Sequence, residues 1–227
     1  MVRFESIDRD LNATPLVGKE EAKFSVQIDN LFGPKDGVVY ELLQTYKNQI
    51  RGFVEAVKFA LGNPTFGGQL AEDMELGFAP VRPAHLKDNG GNSLLGSAVT
   101  ADGAYFKITY ATEWVTLAEG SLNDDVGMIV FGIIDLYDGD TITARTDGIR
   151  VQVGQRSLLP LDVSNAILTD NRNDVPAWNF NAIPVLPKEY FKIEVHSPDY
   201  DSGTPTTGKI KLLGVVVGRG RFLKANF

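Results

Sequence analysis

The residues that could do chemistry in this chain are few, and their spacing limits what that chemistry could be. The only two histidines are His85, in Pro83-Ala84-His85-Leu86-Lys87, and His196, in Val195-His196-Ser197-Pro198. Neither has a second histidine near it, so a cupin-type metal site would have to draw its remaining ligands from carboxylates. Each histidine is expected instead at a strand end or in a loop, satisfied locally. Acidic turns are the better metal candidates, because calcium takes oxygen ligands from closely spaced aspartates. Asp199-Tyr200-Asp201-Ser202-Gly203 has a D-x-D-x-G start, and Asp135, Asp138 and Asp140 bracket a second turn. Position twelve counted from Asp199 is Ile210 rather than glutamate, so no calcium loop is completed and a solvated hairpin turn is expected at Asp199 and Asp201. No metal or cofactor is assigned.

Other chemistries lack their parts. There is no cysteine, which excludes disulfides, thiolate metal sites and cysteine nucleophiles. Gly218-Arg219-Gly220 lacks the further glycine and the following helix of a phosphate-binding loop, and there is no G-x-S-x-G elbow. Among 29 acidic residues no spacing singles out a pair for glycoside hydrolysis. Asn12-Ala13-Thr14 matches a glycosylation acceptor but is followed by Pro15. The expectation is a protein that works without catalysis.

Charge is the more informative signal. The 227 residues carry 22 Lys and Arg against 29 Asp and Glu, a net charge of -7, so the chain as a whole lacks the positive excess that non-specific nucleic-acid binding uses. After Asp201 there is no further acid, whereas Lys209, Lys211, Arg219, Arg221 and Lys224 follow. These five define a basic C-terminal edge, with Lys209 and Lys211 on one face by alternation and Arg219 and Arg221 sharing a face likewise. Two readings stay open. The cations pair with acids such as Asp124 and Asp125 or protect an edge strand; alternatively the edge meets nucleic acid, a membrane surface or an acidic neighbouring subunit.

The elements that must position these residues are mostly strands. Alternation at period two marks residues 23–29, Tyr105–Tyr110, Thr141–Ala144, Gly148–Val153 and Tyr190–Val195 as half-buried strands. Gly127–Tyr137 and Leu212–Val217 are continuous apolar runs, as in strands covered on both faces at a domain centre or a subunit contact. Asp88-Asn89-Gly90-Gly91-Asn92, Asp102-Gly103, Asp138-Gly139, Asp147-Gly148 and Ser202-Gly203 supply turns between strands. One helix interrupts this pattern. Val39, Leu42, Leu43, Tyr46, Ile50, Phe53, Val54, Val57 and Leu61 recur at three- and four-residue steps over Val38–Leu61, with Asp36 as N-cap and Gly62-Asn63-Pro64 as stop. A rival reading makes Ile50–Leu61 a strand. The layout is a mainly β chain, with residues 1–65 as an N-terminal strand and helix region packed on a 66–227 β-sandwich. The start of the chain lacks a signal peptide's basic and apolar regions, and no apolar run approaches the roughly 20 residues of a membrane-spanning helix.

The succession of short strands and long polar loops from Glu72 to Phe227, ending in Leu186–Val195 and then Gly208–Val217, resembles the jelly-roll capsid proteins of bacterial and archaeal viruses. The resemblance implies a jelly-roll antiparallel sandwich with one added N-terminal amphipathic helix. It implies a virion structural protein, assembled in the host cytoplasm from copies of itself with other virion proteins and with no catalytic residue. The alternative is a carbohydrate-binding sandwich that uses exposed aromatics, for which Trp114, Trp178, Tyr137 and Tyr200 are available.

Overall fold

The computed structural model describes residues 38–62, 76–136, 142–154, 156–157, 161–162, 167–169 and 176–226. Helix α1 (Val38–Gly62) is followed by β1 (Leu76–Pro80), β2 (Val99–Asp102), β3 (Tyr105–Tyr110), β4 (Trp114–Ser121), β5 (Val126–Asp135) and β6 (Gly148–Val153). Then come β7 (Arg156–Ser157), β8 (Leu161–Asp162), β9 (Ile167–Thr169), β10 (Pro176–Val185), β11 (Tyr190–His196), β12 (Thr206–Arg219) and a short helix α2 (Gly220–Ala225). The expected strand at 23–29, the Asp36 cap, the stop at Asn63-Pro64 and its seam, Asn12, Tyr137, Asp138 and Asp140 fall outside the described residues.

Two antiparallel sheets face each other. The larger runs β2-β3-β12-β5-β10-β9, with β1 also beside β12; the smaller runs β4-β11-β6-β7, with β8 also beside β6. Along the chain the pairs β3·β12, β4·β11, β5·β10 and β6·β7 nest inside one another, and successive pairs fall in alternate sheets. That is one long antiparallel hairpin rolled over on itself, which is the jelly roll.

Side-chain alternation explains where the core sits. Phe106, Ile108 and Tyr110 of β3 and Phe191, Ile193 and Val195 of β11 point inward and meet between the sheets. The two continuous apolar runs are β5 and β12, neighbours at the centre of the larger sheet, and both of their faces are buried. Met128, Val130, Ile133, Ile210, Leu212 and Val216 face the smaller sheet. Ile129, Phe131, Leu213, Val215 and Val217 face the opposite way, onto α1. The change of phase within β5 comes from a bulge: Leu213 pairs with Gly132 but Gly214 with Val130, which leaves Phe131 as an extra residue.

Helix α1 seals that back face with Tyr46, Ile50, Phe53, Val54, Val57 and Leu61, each worth about 1.5–3 kcal/mol of burial before entropy. Tyr46 stacks on Phe131 with ring centroids 5.0 Å apart and donates its hydroxyl to the Phe180 carbonyl at 2.7 Å. The rival strand at residues 50–61 is therefore overturned, because helical spacing puts one stripe of side chains on the sheet. The expected strand over Thr141–Ala144 is also corrected. Thr141 lies outside the described residues, and the Thr143 and Ala144 amides both reach the single Thr207 carbonyl, at 2.8 and 3.0 Å, so residues 142–144 run in no regular ladder.

Candidate functional site

Because Val115, Leu117, Ile149, Val151, Phe191, Ile193 and Val195 point into the core, alternation turns Trp114, Glu119, Arg150, Tyr190, Lys192, Glu194 and His196 to the outer face of the smaller sheet. In register, His196 stands between Trp114 and Gly148, Glu194 between Thr116 and Arg150, and Lys192 between Glu119 and Gln152. A bulge places Leu117 as an extra residue in β4, so Leu117 and Ala118 are both buried and Glu119 still faces outward. The Lys192 ammonium lies 3.2 Å from Glu194 and 3.6 Å from Glu119, and the Tyr190 hydroxyl donates to Glu119 at 2.6 Å. The Trp114 ring leans over Gly148, where a Cβ would come within 3.2 Å of it, and the Arg150 guanidinium caps the ring at 3.6 Å.

At the end of this face His196 is held between two carboxylates. Its Nδ1 bonds Asp147, and its Nε2 lies 3.0 Å from Glu113. Burial favours the neutral ring, but the bonds to Asp147 and Glu113 outweigh it and raise the imidazole above its ordinary value. Behind Asp147 lies a second titratable group. Asp135, at the end of β5, is fully buried and accepts the Thr146 amide at 2.8 Å, while Tyr110 and Thr146 share a hydroxyl hydrogen bond of 2.9 Å. Burial pushes the Asp135 carboxyl up to about 7, only partly offset by hydrogen bonds from Thr146 and Leu136 and by the charge of Arg145. Among the described residues nothing bonds its Oδ1.

The five cations do not form a strand edge, since β12 is a central strand flanked by β5 on one side and by β3 and β1 on the other. Arg219 ends β12, whereas Arg221 belongs to α2, so the expected alternation between them fails where the strand gives way to a helix. Both instead hold Asp125: Arg219 at 3.0 Å, and Arg221 through Nε at 3.2 Å and Nη2 at 3.0 Å. Lys209 pairs with Asp102 at 2.6 Å and lies 4.8 Å from the Tyr105 ring centroid. Lys211 is half-buried, and burial together with Arg82 lowers its ammonium below the ordinary value. Lys224 is exposed on α2.

Among the described residues, the expected metal candidates are not brought together. His85 is buried in a 3-10 turn after β1, where burial and then Arg82 lower it to about 4 against a Pro80 hydrogen bond, so it is neutral. Asp199 is engaged by Arg145, whose Nε lies at 3.0 Å and which holds the carboxyl below its usual range; Asp201 accepts the Gly203 amide at 2.7 Å. Among the described residues no cluster of three or more such ligands could hold a metal ion. Asp135 was anticipated only in an acidic turn and Trp114 only as a sugar-binding aromatic; the contacts of Asp135 with Thr146 and of Trp114 with Arg150 were not foreseen, although an acid closing an apolar run was a usable signal for the first.

No protein-family model and no curated protein matches the chain. Solved structures give distant, partial likenesses. One is the VP2 subviral particle of infectious bursal disease virus, with TM-score 0.31 and 17% identity over 54% of this chain and 31% of that chain. Another is the infectious bursal disease virus Gt strain, with TM-score 0.29 and 14% identity over 53% and 30% respectively. The chain thus spans about a third of those chains, and the jelly-roll assignment rests on its own strand pairing.

Proposed function

We propose that this protein is a virion structural protein, a self-assembling shell subunit that works without catalysis. The observation that carries the reading is a closed jelly roll whose larger sheet is covered by its own helix, while among the described residues no element packs on the outer face of the smaller sheet, which carries Trp114, Arg150 and Tyr190. Aromatic and arginine side chains on a rigid face are what protein contacts select. The partners are copies of the same chain and other virion proteins, and the place is the virion, assembled in the host cytoplasm. The oily runs of β5 and β12 no longer argue for a subunit contact, because α1 buries them within the chain. The carbohydrate-binding alternative loses ground at Trp114, where Arg150 occupies a ring face that a sugar would need. Any contact of the five cations with an anionic partner has to compete with acids of the chain at Lys209, Arg219 and Arg221.

Light scattering over a range of protein concentration and salt tests the reading. A mass of many chains, reduced by charge reversal at Arg150 and Lys192, supports it. A monomer at all concentrations, or one that binds glycans through Trp114, overturns it.

A further inference from the structure

Residues 142–147 connect to β6 without belonging to either sheet, and point contacts seat them at the end of the sandwich. Five consecutive amides are each bonded to another element: Thr143 and Ala144 to the Thr207 carbonyl, Arg145 to the Asp199 carboxylate at 3.0 Å, Thr146 to Asp135, and Asp147 to the His196 carbonyl at 3.1 Å. Side chains repeat the pattern, with Asp147 on His196 and Arg145 on Asp199.

We propose that this segment is an acid-closed latch, seated at low pH on Asp135 and His196 and released progressively as the pH rises toward and past neutrality. Two contacts titrate in the same direction. On ionisation, Asp135 becomes a buried carboxylate that faces the amides of Thr146 and Leu136, with Arg145 the nearby cation, Asp199 a nearby like charge, and Tyr110 and Asp147 adjoining through Thr146. Burial penalises that charge by more than these partners offset, which favours any opening that admits water. His196 loses its proton in the same direction. Glu113 and Asp147, the charges that face it, are then no longer bridged by a cation; its other neighbours are the Trp114 ring, capped by Arg150, and Glu194 two residues earlier on β11. The Arg145–Asp199 pair does not titrate near neutrality, so it limits the opening without setting its pH.

The magnitude follows from linkage. For a carboxyl at about 7 in the closed segment and 3.8 in the open one, the opening equilibrium shifts about tenfold in favour of the open form between about pH 6 and about pH 8.5. Amide hydrogen exchange on the whole chain reads this directly. After correction for the intrinsic rate, protection at Thr143, Ala144, Thr146 and Asp147 should fall about tenfold over that range. D135N should remove most of the fall, and H196Q should leave the Asp135 part in place. At both pH values the segment should exchange faster than Leu212 and Val216 in the centre of β12. Protection that ignores pH, a fall unchanged by D135N, or segment amides that exchange only as fast as β12 would each overturn the latch. If D135N does not fold, the comparison of the segment with β12 in the parent chain decides.

Discussion

The seat of α1 on the larger sheet can be tested at a single glycine. Gly127 begins the apolar run of β5, and a Cβ built there would lie 2.8 Å from Val57 Cγ2, 3.0 Å from Phe53 Cζ and 3.1 Å from the Val185 carbonyl oxygen. Two of these three neighbours are helix side chains packed on this sheet. Gly127→Ala should therefore cost about 1–3 kcal/mol by overpacking. Val57→Ala should cost about 2 kcal/mol, from two methyl groups at about 0.8 kcal/mol each plus a cavity term. Together the changes should cost about 1–2 kcal/mol less than their sum, because the alanine methyl at 127 enters the space that Val57 vacates. Urea denaturation of the four proteins closes the cycle. Additivity within about 0.5 kcal/mol would mean that the helix is not seated over Gly127, and the account of the sealed back face would fail.

Stability should depend on pH through Asp135. Its folded carboxyl stands at about 7 against 3.8 ordinarily, so between those values the native chain holds a proton that the unfolded chain has lost. Unfolding free energy should fall by about 4 kcal/mol from about pH 4 to about pH 8, and the raised His196 acts in the same sense. D135N should flatten that profile; a parent chain that gains stability toward pH 8 would refute the assignment. Asp125→Asn weakens the hold on both Arg219 and Arg221 and should cost about 1–3 kcal/mol, with α2 loosened first in hydrogen exchange; loss of less than about 0.5 kcal/mol would count against the clamp. Lys211→Gln removes a half-buried charge that burial already disfavours, so it should not lower the denaturation midpoint, and together with Lys224→Gln it should weaken assembly at low salt. Equal assembly at every salt concentration would remove these two residues from any contact.

Much of the architecture was legible in the sequence because each strand states its own environment. The alternation of Tyr105–Tyr110 and Tyr190–Val195 marked two half-buried strands, and the unbroken runs of β5 and β12 marked burial on both faces. What covers the second face was not written locally. Only the fold shows that α1 covers it, which turns a suspected subunit contact into an internal one. The five cations misled for a related reason. Asp125, one of the acids anticipated for them, holds Arg219 and Arg221 at the strand end, whereas sequence separation hides Asp102, which pairs with Lys209 across the sheet. Asp135 was visible as the acid closing an apolar run, yet its meaning depended on Thr146 and Tyr110, which long-range packing brings to it.

The central claim is that this jelly roll is a repeated building block. Electron microscopy of the purified protein, imaged at pH 6 across a series of concentrations, tests it most directly. Closed particles of regular size, built from one repeating unit and dispersed by charge reversal at Arg150 and Lys192, are the expected result. Single sandwiches at every concentration, with no ordered contact between copies, would contradict it.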